Sequence, residues 1–107
     1  MTGILGGTFD PIHAGHLAAA EALRKVAGLE AVWLMPNAEP PNRPPATASP
    51  SDRLEMVKRA IAGHPGLVAS DLEVRRGGTS YTVDTVQELA RVFPKTRFAW
   101  LIGSDQA

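Results

Sequence analysis

Two histidines stand three positions apart where a short apolar run meets an alanine-rich stretch. Residues 6–16 read GGTFDPIHAGH, and they lie between Ile4-Leu5 and the alanine-rich residues 17–27. This order predicts a first strand that turns into a first helix. The first N–H groups of a helix lack intrahelical partners and carry positive potential, and glycines let a polyphosphate approach the main chain. Because His13 and His16 are three apart, two imidazole donors converge on one anion.

Three other interpretations of this run are an ordinary glycine turn, a half-built metal site and a solvated helix start. A zinc site lacks ligands, because the chain has no cysteine and the third histidine, His64, is far away in sequence beside Pro65. A plain turn does not require this whole order of residues. The sequence therefore predicts a phosphate site without a protein-bound metal. Imidazoles suit phosphoryl chemistry, which needs positioning and fixed positive charge more than a nucleophile.

Composition restricts the class of protein and of ligand. The 107 residues predict one small domain, with 44% hydrophobic and 21% charged residues as in ordinary globular chains. Eleven basic and eleven acidic residues balance, so we expect neither nucleic acid nor an anionic membrane as a partner, and the ligand should be small. The absence of cysteine, of an apolar run of about 20 residues and of a basic leader favours a cytoplasmic location.

The pattern along the chain alternates apolar runs with helical stretches. Gly28 ends the first helix, and residues 31–35 form a buried strand. Six prolines in residues 36–50 describe a stiff, extended loop. The sequence then predicts a helix capped by Ser49, one extended stretch or two short ones at residues 67–74, and a turn at 75–78. A helix beginning in residues 80–85 and a strand at 98–102 follow. This is an α/β chain with a Rossmann-like parallel sheet, flanking helices and a central first strand.

Helical spacing also predicts which faces of the two later helices are buried. The predicted buried positions are Leu54, Val57, Ala60 and Ile61 in the first of them, and Val83, Val86, Ala90 and Phe93 in the second. We assign no chemistry to the helix that follows Ser49.

Residues 6–16 resemble the signature of the HxGH nucleotidyltransferases, which join a nucleoside monophosphate to a phosphate-bearing acceptor. The resemblance implies that His13 and His16 are the catalytic residues, which steady the charge on the departing pyrophosphate without a covalent intermediate. It also implies that the loop before them binds ATP through Gly6, Gly7, Thr8 and Phe9. Asp10 is expected to brace this loop rather than to react.

Later segments resemble the nicotinate mononucleotide adenylyltransferases within that superfamily. The proline loop is similar to theirs, with Asn42 at a position where those enzymes have histidine, so that Arg43 carries the cationic phosphate role. Residues 80–85, SYTVDT, resemble an element that faces the acceptor, which implies acceptor binding by Tyr81, Thr82 and Thr85. Ser80 or Thr82 could also simply cap the helix. Residues 102–105 resemble an Ile-Gly-x-Asp element, which implies that Gly103 and Asp105 lie near the nucleotide.

The function implied is adenylyl transfer from ATP, with Mg²⁺, to nicotinate mononucleotide, giving deamido-NAD and pyrophosphate. The alternatives are a sibling enzyme such as pantetheine phosphate adenylyltransferase, and a nucleotide-binding fragment without catalysis. The family continues into a ring-stacking tryptophan segment and an Ile-Ser-Ser-Thr-x-x-Arg motif, so residues 1–107 are expected to be a single nucleotidyltransferase domain that is incomplete at its C-terminus. Homo-oligomer formation and the preference for nicotinate over nicotinamide stay open.

Overall fold

Strands and helices alternate along the chain in the computed structural model, which describes residues 1–39 and 47–101. The elements are β1 (Thr2–Gly7), α1 (Ala14–Val26), β2 (Ala31–Pro36), α2 (Pro50–Ile61), β3 (Leu67–Ala69), α3 (Leu72–Arg76), α4 (Thr82–Val92) and β4 (Phe98–Leu101). None of the helices in this part of the chain has the length and apolar character that crossing a membrane requires.

The strands form one parallel sheet in the order β3-β2-β1-β4. Leu5 of β1 pairs with Leu34 on one side and with Leu101 on the other. The prediction of a Rossmann-like α/β fold with a central first strand is therefore confirmed. The chain winds from β1 outward to β3 and then returns to the opposite side of β1 with β4. Open parallel sheets bind ligands beyond the carboxyl ends of the strands at such a reversal, and the β1–α1 loop lies there.

Alternate residues of the sheet feed two separate cores, since successive side chains of a strand point to opposite faces. On one face, Leu5 and Leu34 pack with Ala20 of α1 and Val57 of α2. On the other face, a second cluster contains Ile4, Met35, Leu72 of α3 and Leu89 of α4. The sheet is thus covered on both sides, and the short apolar strands are buried because helices lie above and below them.

Local signals explain where the first two helices begin and end. Gly28 follows α1 with φ of +64°, a conformation that glycine adopts at little cost, and Leu29 N–H closes the end by donating to Arg24 O at 2.9 Å. Ser49 caps α2 by accepting from Asp52 N–H at 3.1 Å, and Pro50 follows at the first helical position. Both boundaries agree with the sequence prediction.

The prediction of extended structure at residues 67–74, as one stretch or as two, is wrong for the second half of this range. Only Leu67–Ala69 is a strand, and Leu72–Arg76 forms the short helix α3. Arg75 N–H donates to Asp71 O at 2.8 Å, and the two side chains also pair at 3.0 Å. The five residues of α3 are too few for a helical period to be visible in the sequence. The predicted turn at 75–78 consequently begins two residues later, at Gly77.

The predicted apolar face of the last helix is also wrong. α4 turns Thr85 and Leu89 inward, whereas Val83 and Val86 remain 61% and 41% exposed. The polar Thr85 is drawn inward because its hydroxyl is bonded to side chains of α3. The spacing of apolar residues in the sequence does not show that α4 buries Thr85 and leaves Val83 and Val86 exposed.

Candidate nucleotide site

The loop between β1 and α1 holds a buried aromatic residue in an unusual backbone conformation. Phe9 has φ of +50°, in the left-handed region that side chains other than glycine seldom occupy, and it is only 2% exposed. Its ring meets the His16 ring edge-on, with centroids 5.0 Å apart. Burial holds Phe9 in this conformation, so the loop turns sharply and the Phe9 ring packs against the His16 ring.

The two histidines cap their own helix. His13 is the N-cap of α1, and its Nδ1 accepts from Gly15 N–H at 3.1 Å. His16 lies in the first turn, and its Nδ1 accepts from His13 N–H at 3.0 Å. The arrangement is a capping box made of imidazoles. The expected convergence is present, because the rings stack with centroids 3.8 Å apart and planes inclined by 26°.

These two bonds determine where each imidazole can donate. A ring nitrogen that accepts a hydrogen bond carries no proton, so the neutral forms of His13 and His16 carry their protons on Nε2. In this tautomer Nε2–H is the hydrogen-bond donor of each ring. The main chain of the helix start therefore selects the tautomer suited to anion binding.

Gly15 makes room for the His13 ring. A Cβ atom built on Gly15 would lie 2.9 Å from His13 Cε1 and 3.0 Å from its Nδ1. Those separations are too short for non-bonded atoms. A side chain at residue 15 would therefore push the His13 ring out of its present position over the first turn. By contrast, a Cβ on Gly6 would meet nothing closer than Met35 O at 4.0 Å.

Asp10 braces the loop, as expected from the sequence. Its carboxylate accepts from Thr47 N–H at 2.6 Å and from Ala48 N–H at 3.1 Å. The bond from Thr47, followed by that from Ala48, lowers the pKa of Asp10, against partial desolvation that raises it. Asp10 therefore remains charged and holds the start of α2 beside the β1–α1 loop.

Sequence reasoning missed a fully buried arginine beside the β1–α1 loop. Arg53 of α2 is 0% exposed. Its guanidinium donates to Thr8 O at 2.8 Å and to Ala38 O at 2.7 Å, and also to Ala48 O and Asn37 Oδ1 at 3.2 Å each. Burial lowers the pKa of Arg53, and the charge of Asp10 opposes that change. The available signal was an arginine four residues before the buried Val57, on the same helical face.

Asn37, just beyond β2, was missed as well. Its backbone N–H donates to Gly7 O at 3.0 Å, and its side-chain Nδ2 donates to Thr8 Oγ1 at 3.2 Å. The Thr8 hydroxyl is thus oriented by a buried amide at the end of the neighbouring strand. Nothing in the local sequence identifies Asn37, because its side-chain partners are Thr8, 29 residues earlier, and Arg53, 16 residues later.

The segment predicted to contact the acceptor begins beside the end of β2. Ser80 Oγ accepts from Ala38 N–H at 2.9 Å, and Ser80 N–H donates to Glu39 O at 2.9 Å. The interpretation of Ser80 or Thr82 as a helix cap is wrong, because Tyr81 is the N-cap residue and α4 has no side-chain capping bond. Tyr81 is 51% exposed, and Thr82 is exposed.

Thr85 occupies a different position from Tyr81 and Thr82. It is 0% exposed; its hydroxyl donates to Glu73 Oε2 and accepts from Arg76 Nη2 at 2.8 Å. Arg76 also bonds Glu88 at 3.3 Å, so the group ties α3 to α4. Burial raises the pKa of Glu73, and the bond from Thr85 and the charge of Arg76 oppose that rise. Thr85 therefore fixes the first turn of α4 to α3.

Several predicted residues lie outside the described part of the chain, namely Arg43, Gly103 and Asp105, together with Asn42. Among residues 1–39 and 47–101, no group of three or more His, Cys, Asp or Glu side chains comes together as a metal site.

Comparison with known proteins gives a consistent family. The cytidylyltransferase-like family model matches residues 4–107. Proteins named "probable nicotinate-nucleotide adenylyltransferase" are similar to the chain: that of Oceanobacillus iheyensis is 45% identical over 96% of the chain and 54% of its own length. Those of Gloeobacter violaceus and Synechococcus are 47% and 50% identical, each over 96% of the chain and 50% of its own length.

A solved structure shares the fold. The nicotinic acid mononucleotide adenylyltransferase of Plasmodium falciparum, complexed with NaAD, superimposes with a TM-score of 0.78 at 20% identity, over 97% of this chain and 52% of that one. The chain spans about half the length of the curated relatives it matches. A parallel sheet with a histidine-capped helix after its first strand, matched by the family model over residues 4–107, identifies the chain as a member of the cytidylyltransferase-like family.

Proposed function

We propose that the chain serves adenylyl transfer from ATP to nicotinate mononucleotide, with deamido-NAD and pyrophosphate as products. The observation that carries the proposal is the stacked pair of His13 and His16 at the start of α1, with both Nδ1 atoms accepting from the main chain. The curated relatives with nicotinate-nucleotide adenylyltransferase names support this choice of substrate.

In this reaction, a phosphate oxygen of nicotinate mononucleotide attacks the α-phosphorus of ATP. The bond from the α-phosphorus to the bridging oxygen breaks, and the electron pair leaves with pyrophosphate. The Nε2–H groups of His13 and His16 donate to phosphate oxygens as this charge develops, and the N-terminus of α1 adds its dipole. Gly6, Gly7, Thr8 and Phe9 form the adjoining wall for ATP. The residues needed are positioners and donors, so no covalent intermediate is required.

The acceptor is assigned to the segment that starts at Ser80. Tyr81 and Thr82 are exposed there, which suits direct contact with nicotinate mononucleotide. We assign Thr85 to the acceptor side as well, where its bonds to Glu73 and Arg76 hold the first turn of α4. We also propose that Arg43, Gly103 and Asp105 bind ATP, and this assignment is supported by the sequence resemblance alone.

A divalent cation enters this proposal only as the companion of ATP. Mg²⁺ is commonly held by substrate phosphates with one or two carboxylates, and it would neutralise charge on the triphosphate. The part of the chain that the structure describes brings together no group of three or more His, Cys, Asp or Glu side chains that could hold the cation without the nucleotide. We also propose that the protein acts in the cytoplasm. The proposed reaction is compatible with either a monomer or a homo-oligomer.

The test is turnover by the gene product that carries this chain. ATP, Mg²⁺ and nicotinate mononucleotide should give deamido-NAD and pyrophosphate, which chromatography and a coupled pyrophosphate assay measure. Nicotinamide mononucleotide and pantetheine phosphate, in place of the acceptor, distinguish the sibling activities. ATP binding without turnover of any of the three acceptors would instead favour a nucleotide-binding protein.

A further inference from the structure

We propose that Arg53 is a positioning residue that sets the relation between the two substrate-binding segments of the site. These are the phosphate loop, residues 8–13, and the acceptor segment, residues 80–85. The inference rests on the proposed function, since it assigns ATP to the first segment and nicotinate mononucleotide to the second. Arg53 itself contacts neither substrate and acts through the main chain.

Arg53 joins the phosphate loop directly to the end of β2. Nη1 donates to Thr8 O at 2.8 Å, and Nη2 donates to Ala38 O at 2.7 Å. The same Nη1 also reaches Asn37 Oδ1 at 3.2 Å, and Asn37 Nδ2 orients the Thr8 hydroxyl at 3.2 Å. One planar group therefore fixes both the carbonyl and, through Asn37, the hydroxyl of Thr8.

Ala38 carries the connection onward to the acceptor segment. Its carbonyl accepts from Arg53, and its N–H donates to Ser80 Oγ at 2.9 Å in a buried bond. Ser80 also donates its own N–H to Glu39 O at 2.9 Å. A continuous chain of hydrogen bonds thus runs from Thr8 through Arg53 and Ala38 to the residue before Tyr81.

The chemistry of Arg53 favours a positioning role over simple packing. A fully buried guanidinium is costly to desolvate, and an apolar side chain of similar volume often stabilises a core at least as well. Its hydrogen-bond acceptors in the described structure are three main-chain carbonyls and the Asn37 amide oxygen, which are neutral. Only the fork of an arginine offers several donors in fixed directions to such a set, and a lysine cannot span it.

The first experiment compares Arg53→Lys with Arg59→Lys in the gene product that carries this chain. Arg59 lies on the same helix with its side chain 79% exposed, so it is the matched control. Folding is checked by circular dichroism, and kcat and both KM values are measured. We expect Arg53→Lys to raise the KM for ATP and for nicotinate mononucleotide and to lower kcat/KM by about 10- to 100-fold, because displacements near 1 Å have such effects. The control should match the parent.

A second variant, Ser80→Ala, tests the far end while leaving Arg53 in place. It should raise the KM for nicotinate mononucleotide by about tenfold and change the ATP dissociation constant by less than about twofold. The double variant Arg53→Lys/Ser80→Ala should lose less acceptor affinity than the product of the single effects, since both act through Ala38.

The outcomes separate this inference from the proposed function. A folded Arg53→Lys protein with a lower melting temperature and unchanged KM values would overturn the positioning role. If Arg53→Lys does not fold, the Ser80→Ala variant provides the test. An unchanged KM for nicotinate mononucleotide in that variant would also overturn the positioning role of Arg53. If the parent transfers no adenylyl group to nicotinate mononucleotide, the proposed function fails. In that case, the ATP dissociation constant of Arg53→Lys tests whether Arg53 positions the phosphate loop. An increase of about tenfold would support this role, and an unchanged constant would refute it.

Discussion

Replacing Gly15 with alanine should impair the phosphate site while leaving the fold nearly as stable. The new Cβ would lie 2.9 Å from His13 Cε1, so the ring must move by about 0.6 Å to regain the roughly 3.5 Å at which carbon atoms attract. That movement weakens the bond from Gly15 N–H to His13 Nδ1, now 3.1 Å, and the stack on His16.

Two effects on stability oppose each other in this variant. Alanine favours a helix by up to about 1 kcal/mol relative to glycine. Loss of an N-cap bond costs roughly 0.5–2 kcal/mol. The net change in the free energy of unfolding should therefore be small, about 1 kcal/mol or less. A displacement of this size should still lower kcat/KM about tenfold, because a donor aimed at the transition state loses its alignment.

The assay is adenylyl transfer by the gene product that carries this chain, together with urea unfolding. The matched control is the same substitution on a His13→Ala background, where the ring that the new methyl group would displace is absent. There Gly15→Ala should have no further effect on kcat/KM. Full activity of the single Gly15→Ala variant, or an equal loss on both backgrounds, would refute the argument that Gly15 acts by making room for His13.

Three further predictions concern the same site and its supports. His16→Ala should lower the transfer rate by about 10²- to 10³-fold without unfolding the protein, as measured by turnover and circular dichroism. Asp10 has a pKa lowered from 3.8, so its contribution to stability is present above that value and is lost as the pH falls through the folded pKa; Asp10→Asn should remove this acid dependence in urea titrations. Glu73 has a pKa raised from 4.5, so its contribution falls as the pH rises from 4.5 through the folded pKa, and Glu73→Gln should remove that decline.

Each of these predictions has a contrary result. Near-normal turnover by a folded His16→Ala protein would remove the phosphate role of that residue. Parallel acid titration curves for Asp10→Asn and the parent would mean that the bonds from Thr47 and Ala48 do not stabilise the charged carboxylate. For Glu73, the exposed Glu55→Gln substitution on α2 is the control, and equal slopes for both variants would contradict the effect of burial.

Prediction from the sequence succeeded where the determining interactions are local. The start of α1, the glycine that follows it and the cap of α2 depend on residues within one turn of each other. The approach of the His13 and His16 rings follows from their places at the N-cap and three residues later, which a capping box brings together. Prediction was wrong for α3, which is too short to show a period, and for the face of α4, which is set by a buried threonine rather than by its valines.

The kind of chemistry can be predicted from the sequence before any folding is considered, because a glycine turn, a helix start and two histidines lie within eleven residues and predict a phosphate site. The contacts that hold these residues in place depend on the tertiary structure. Arg53 bonds to Thr8, 45 residues earlier, and Ser80 bonds to Ala38, 42 residues earlier. A helix cap depends on neighbours in the chain and can be read from them. A buried arginine is placed by the packing of separate strands and helices, and its partners become visible only when the sheet has brought those elements together.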